Sequence, residues 1–245
     1  AAARRVIAVS QATRQDLIEL FNAAPERIDV VYNGVDASFS PAPPAEIAAF
    51  RGRAGLPPRF ILHLGTLEPR KNLVRLVQAF AQVRAQDAGQ PPIKLVLAGG
   101  KGWDYDAIFH EVTRQGLEQE VLFPGYVADQ ELAWWYRAAA LFVYPSLLEG
   151  FGLPVLEAMA CGAPGVTSNL SSLPEVAGEA ALLVDPMSVD ALAAALLRLL
   201  ADAELAAELR GRGLGQAARF SWSRTAAQTA AVYRRALSPA AGGAP

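Results

Sequence analysis

Short aliphatic and β-branched runs, each followed by a longer stretch of helical periodicity, limit what this 245-residue chain can become. The runs fall at 60–65, 93–98, 121–123, 141–144, 165–167 and 181–184. Helical stretches lie between them at 72–85, 104–115, 129–139 and 154–160, the first with Leu73, Leu76, Val77 and Phe80 on one face. Strands alternating with helices require βαβ crossovers, and hence a parallel sheet covered on both faces. The predicted class is α/β. Ahead of this block come a strand at 4–10, a helix at 12–21 with Leu17, Leu20 and Phe21 on one face, and a strand at 28–32 closed by the turn pair Asn33 and Gly34. A Pro-rich linker is expected at 40–44, and 188–237 reads as nearly all helix. The chain therefore divides into 1–40, a main domain at 41–238 and a flexible Ala/Gly/Pro tail at 239–245.

The chemistry concentrates between Glu149 and Glu157, an E-x7-E spacing around a Gly-rich turn that opens a helix. Gly150 and Gly152 lack a Cβ, so the backbone can turn sharply and approach a ligand. Pro154 suits the first helical position, where its missing N–H costs nothing. The free amides of that turn, aided by the helix dipole, form an anion site. A carboxylate beside bound phosphate would repel it, so each glutamate is expected to accept hydrogen bonds from sugar hydroxyls. Anion, ribose and a second sugar together describe a nucleotide-sugar. The loop follows the run at 141–144, at the carboxyl end of a strand, where open α/β sheets bind ligands. A Gly-rich loop ahead of a helix also occurs where nothing binds.

A second loop of the same kind follows the strand at 60–65: Gly65, Thr66, Leu67, Glu68, Pro69, Arg70, Lys71, Asn72. Arg70 and Lys71 beside a helix start suit a diphosphate, or are solvated surface charges. Gly125, Tyr126 and Val127 sit in an equivalent loop and could bracket a flat base, or form a turn with a core aromatic. The two histidines, His63 and His110, read as a satisfied buried residue and a surface residue, respectively. Neither has a ligand-like spacing to Cys161, so no metal site is predicted. The run Trp134, Trp135, Tyr136 reads as core packing.

Bulk properties remove several classes. With 22 Lys and Arg against 24 Asp and Glu, the net charge of −2 argues against a nonspecific nucleic-acid binder. The single cysteine excludes an internal disulfide framework and fits a reducing, cytoplasmic setting. No segment resembles a signal peptide, and the longest apolar stretch, 191–200, is too short for a membrane span and holds Arg198. The chain begins at Ala1 without methionine, as a fragment or a processed form would.

Four ordered motifs resemble the donor-binding half of retaining glycosyltransferases with the GT-B fold, the broad group that includes bacterial mannosyltransferases and sucrose synthase. They are 6–13 with 31–36, 65–72, 123–127 and 145–158. The resemblance implies a Rossmann-like parallel sheet with helices on both faces, the C-terminal half of a GT-B fold. It further implies that Arg70 and Lys71 neutralise the diphosphate and the leaving nucleotide, and that Glu149 bonds the transferred sugar. Amides at Phe151, Gly152 and Leu153 would hold sugar hydroxyls or the distal phosphate, and Glu157 the ribose. Gly65, Thr66, Tyr126 and Val127 complete the implied donor site. Such enzymes use no metal or cofactor; the donor is GDP-mannose or, next in order, a UDP-sugar.

In this group the acceptor site and a functional histidine lie in an N-terminal domain, of which 1–40 resembles the last remnant. The chain alone is then expected to be inactive, and membrane contact would come only through that domain. The strand at 4–10, without its sheet, is expected to be displaced, to pack on the domain or to mediate self-association through 4–21. The helix at 222–237 is expected to expose apolar surface. Gly165 departs from the usual Val of the group, which would loosen its strand. A noncatalytic nucleotide-binding or assembly module is the alternative, and a sugar-nucleotide hydrolase or epimerase a third reading.

Overall fold

A computed structural model describes residues 3–238. The tail expected at 239–245 lies outside the described residues. The chain opens with strand β1 (Val6–Ala8), helix α1 (Gln11–Phe21) and strand β2 (Ile28–Val30), followed by α2 (Pro44–Arg53). The main block runs β3 (Phe60–Leu64), α3 (Leu73–Gln86), β4 (Lys94–Ala98), α4 (Asp106–Arg114), β5 (Val121–Gly125) and α5 (Leu132–Ala138). It continues with β6 (Leu141–Tyr144), α6 (Leu153–Ala160), β7 (Gly165–Ser168), α7 (Leu173–Ala177) and β8 (Leu182–Val184). Helices α8 (Val189–Ala201), α9 (Ala203–Ala217) and α10 (Trp222–Leu237) close the chain.

Strands β3 to β8 form one parallel sheet in the order β5-β4-β3-β6-β7-β8. The chain lays strands outward from β3, returns to β6 on the other side of β3, and lays strands outward again. Loops leaving β3 and β6 therefore diverge to opposite faces and leave a crevice at the carboxyl end of the sheet, the topological switch point of a doubly wound fold. Both faces are covered. One face packs Phe142, Tyr136, Leu156 and Met159; the other packs Ile61, Leu95, Leu76, Phe80 and Leu196.

The segment expected to be a linker at 40–44 is irregular through Pro43, and Pro44 opens α2 with a pre-set φ and no N–H to satisfy. Its Phe50 stacks on Trp134 with ring centroids 5.8 Å apart. Helix α7 carries no long apolar period and was not anticipated. The expected helical tail at 188–237 breaks at Asp202, whose carboxylate caps α9, and at Ser221, which caps α10. Strand β5 runs on through Pro124, which an edge strand tolerates. Gly165 pairs in register with Phe142, so β7 is a regular strand despite the missing side chain.

The first strand is not orphaned. β1 pairs in parallel with β2, and Arg5 and Arg235 both bond the Asp29 carboxylate, tying this small sheet to α10. Residues 32–39 pack against the main core through Tyr32, Val35 and Phe39. The expected apolar face of α1 is uncovered at its end, where Leu20 and Phe21 are exposed. Helix α10 buries Val232 and exposes Trp222, Tyr233 and Leu237. No described helix is long and apolar enough to cross a membrane.

Candidate active site

After β3 the chain makes a single 3-10 turn over Pro69–Lys71, then passes through Asn72 in a left-handed conformation (φ 60°) into α3. The Asn72 amide donates to the carbonyls of Pro145 and Pro186, stitching the β3 loop to the loops after β6 and β8. Lys71 is thereby held under the β6 loop, where it is 6% exposed. Its ammonium donates to Glu149 Oε1 at 2.6 Å and to the Tyr144 hydroxyl at 2.5 Å. Arg70 bonds Glu149 Oε2 at 2.7 Å and Glu68 at 2.6 Å. Two cations and two carboxylates thus balance when no ligand is bound.

The glycine turn that follows is built around Gly152 (φ 108°), where a Cβ would sit 2.7 Å from Leu173 of α7. The positive φ demands glycine there, and a side chain would also displace the end of Leu173. Gly150 has an ordinary φ and room for a Cβ, so the turn does not depend on it; its carbonyl accepts from Thr13 of α1. Pro154 occupies the second helical position, because α6 begins at Leu153. The loop is held from below by Ser171, which accepts from the Glu149 amide, and by Ser172, which donates to the carbonyls of Glu149 and Phe151. The amides of Phe151, Gly152 and Leu153 are bonded to no other group among the described residues and stand free at the helix start.

One cavity of about 480 Å³ is lined by Gly65, Thr66, Arg70, Lys71, Glu149, Phe151, Gly152, Leu153 and Glu157, together with Val9, Asn33, Glu68 and Tyr144. The fold therefore unites nine of the eleven residues singled out from sequence. Tyr126 and Val127 are not among them. Tyr126 is exposed at the edge of a neighbouring hollow of about 520 Å³, and Val127 is buried. Asp129, to which the Tyr126 hydroxyl donates at 3.2 Å, adds a like charge that helps to raise Glu157. A tighter hollow of about 150 Å³ beside Tyr32 and Arg219 is too small for a nucleotide-sugar.

Electrostatics separate the two glutamates. Burial pushes Glu149 up, but hydrogen bonds and charge from Lys71, with Ser146 and Arg70, outweigh it and hold the carboxyl below its usual range. Burial lowers Lys71 from the ordinary lysine value, with Glu149 only partly opposing. Glu157 lies above its usual range because of burial, with the Tyr136 hydroxyl donating to it at 2.8 Å. Its ionised form therefore strains the fold at neutral pH. Glu157→Gln should stabilise the ligand-free chain above the ordinary glutamate value of 4.5 and increasingly so toward the raised native value. At lower pH both states of both chains are uncharged at this position and the gain disappears. Thermal melts of the two chains between pH 4 and pH 8, on the order of one-unit steps, check this.

His63 is fully buried, as expected, but only half satisfied. Its Nδ1 lies 3.2 Å from the Val143 carbonyl, and its Nε2 has no partner. Burial, then the nearby Lys71 charge, pushes it down to about 3, so the ring is neutral and donates from Nδ1. His110 is exposed. Cys161 is buried and pushed up to about 12, an inert packing residue. Among the described residues no three His, Cys, Asp or Glu side chains group as metal ligands. Trp135 and Tyr136 pack in the core as read, yet the Tyr136 hydroxyl reaches the site. Reading by motif missed Tyr144, Ser171, Ser172 and Tyr136. The first was taken only as the end of a strand, and the serines reach the loop from a different crossover.

The arrangement defines a doubly wound α/β domain with an anion site at its switch point, flanked by carboxylates that suit hydroxyl groups. The chain belongs to the family described as Glycosyl transferases group 1, which matches residues 46–214, and residues 1–39 match Glycosyltransferase Family 4. It is 40% identical to O-antigen chain mannosyltransferase B of Escherichia coli, over 95% of this chain and 61% of that protein. It is 36% identical to D-inositol 3-phosphate glycosyltransferase of Thermobispora bispora, over 96% of this chain and 56% of the relative. Among solved structures, HepE of Anabaena in complex with UDP and glucose is 27% identical, with a TM-score of 0.85 over 95% of this chain and 63% of that one. Sucrose-phosphate synthase of Thermosynechococcus elongatus is 30% identical, with a TM-score of 0.83 over 96% of this chain and 58% of that one. The structural neighbours are GT-B glycosyltransferases, as the four motifs implied. The chain spans about three fifths of the length of these two curated relatives, and about a quarter of longer mannosyltransferase relatives.

Proposed function

We propose that this chain is the donor-binding half of a retaining, cytoplasmic glycosyltransferase that takes its sugar from a nucleoside-diphosphate sugar. The observation that carries the reading is the convergence of Arg70, Lys71 and the free amides of Phe151, Gly152 and Leu153 on the cavity that Glu149 and Glu157 also line. Cations and helix amides would stabilise the charge that develops on the departing diphosphate, without a metal ion. In this reading Glu157 takes ribose hydroxyls, and Glu149 those of the transferred sugar. Mannosyltransferase relatives favour GDP-mannose as donor; the UDP and glucose held by HepE make a UDP-sugar the second candidate. The acceptor would be a glycan or lipid bound by a part corresponding to the region of the longer relatives that this chain does not span. The chain by itself is then expected to bind donor and transfer nothing. The noncatalytic module stays the alternative, distinguished by absence of transfer once that part is supplied.

Titration calorimetry of the chain with GDP, UDP and ADP, in chelator and then with magnesium, tests the proposal. One nucleotide should bind in chelator and the others more weakly. Binding by none of them, or binding only with magnesium, overturns it.

A further inference from the structure

Beneath the ion cluster lies a layer of buried polar groups that the reading above leaves without a task. Tyr144 is 1% exposed, its ring stacked between His63 (centroids 5.3 Å apart) and Phe142 (5.8 Å). Its hydroxyl accepts from the Lys71 ammonium, which also lies 4.8 Å from the centre of the tyrosine ring. Ser146, two residues on, is fully buried; its hydroxyl lies near enough to Glu149 to help hold that carboxyl down but completes no hydrogen bond of normal geometry. An unspent buried hydroxyl is costly unless some state of the protein uses it.

Donor binding supplies such a state. The empty site is balanced: Arg70 and Lys71 against Glu68 and Glu149. A diphosphate brings one negative charge per phosphate and draws both cations toward itself. Glu149 is 10% exposed at its side chain and would then be a buried carboxylate short of donors, an expensive arrangement. A hydroxyl that spends only a lone pair on Lys71 still has a proton to donate, and the Ser146 hydroxyl has its own.

We propose that Tyr144 is a positioning residue of the donor site: its hydroxyl fixes the Lys71 ammonium beside Glu149, and with Ser146 it supplies the hydrogen bonds Glu149 needs once Lys71 and Arg70 turn to the diphosphate. The second half rests on the donor-binding reading, and the first does not. The groups facing Lys71 are Glu149, Glu68, Arg70, the neutral His63 and Tyr144. Burial already disfavours the ammonium, so removing an acceptor makes it lose its proton at lower pH.

Tyr144→Phe keeps the stacked ring and removes only the hydroxyl. The chain has three lysines, Lys71, Lys94 and Lys101, so acylation of each can be followed by mass spectrometry against the other two. In the ligand-free variant, acylation of Lys71 should accelerate, by about tenfold for each pH unit lost by the ammonium, with Lys94 and Lys101 unchanged. Affinity for UDP, GDP or ADP, whichever the parent chain binds, should fall about tenfold, and its alkaline decline should begin at lower pH. Ser146→Ala should weaken the nucleotide and leave Lys71 acylation as it was. Unchanged acylation and an unchanged alkaline limb in a folded Tyr144→Phe chain refute the proposal. If the parent binds none of UDP, GDP and ADP, the donor-binding reading fails and takes the role of Ser146 with it, while the acylation rates alone still decide whether Tyr144 holds Lys71.

Discussion

Lys71→Ala is expected to weaken nucleoside-diphosphate binding by about tenfold to a hundredfold. The side chain is buried, and its ammonium is shared between Glu149 and Tyr144 at bonding distance. A lost charge-assisted hydrogen bond in such a place is worth about 1.5–3 kcal/mol, which converts to that range of affinity. The change also leaves Glu149 with Arg70 as its one remaining cationic partner among the described residues, so the melting temperature should drop as well. Lys94→Ala is the matched control. That lysine sits at the opposite end of β4, bonded to the Gln119 carbonyl. Calorimetry of the two variants decides the matter: equal affinities would refute the placement of the diphosphate beside Lys71.

The two glutamates should come apart when each is truncated. Glu157→Ala removes the acceptor assigned to ribose, so free nucleotide and nucleotide-sugar should weaken together, by about tenfold. Glu149→Ala removes the acceptor assigned to the sugar. It also removes the carboxylate that competes with phosphate for Lys71 and Arg70. Free-nucleotide affinity should therefore hold or improve, while the extra affinity of the nucleotide-sugar disappears. Titrating both variants with UDP, UDP-glucose, GDP and GDP-mannose reads this directly. Identical profiles would show that the loop serves the fold and not two separate sugars. The opposite electrostatic settings of the two carboxyls, one held down by cations and one raised by burial, already argue for separate tasks.

Much of the site was legible because it is local in sequence. The cations at 70 and 71, the glycine turn and the bracketing glutamates each follow a strand directly, and a strand's carboxyl end is where a parallel sheet gathers its loops. The glycines were only half legible. Composition cannot tell the position that needs a left-handed backbone, Gly152, from a neighbour that does not, Gly150. Helix α7 escaped because five residues are too few to show a period, and α2 because Phe50 is its one buried residue and leaves no apolar face to read.

The alternation of apolar runs and amphipathic stretches was enough to determine a parallel α/β sheet, since each strand must be followed by a crossover that covers a face. Strand order is another matter. That β6 lies beside β3, across 76 intervening residues, is a long-range pairing on which no local pattern bears. That single adjacency brings Lys71 and Arg70 to Glu149 and places Tyr144 beneath them. It also leaves Tyr126 and Val127 outside the cavity their motif suggested. The identities of the charged groups were written along the chain; their mutual neutralisation, their burial and the hydroxyls that support them depend on distances set only when the sheet closes.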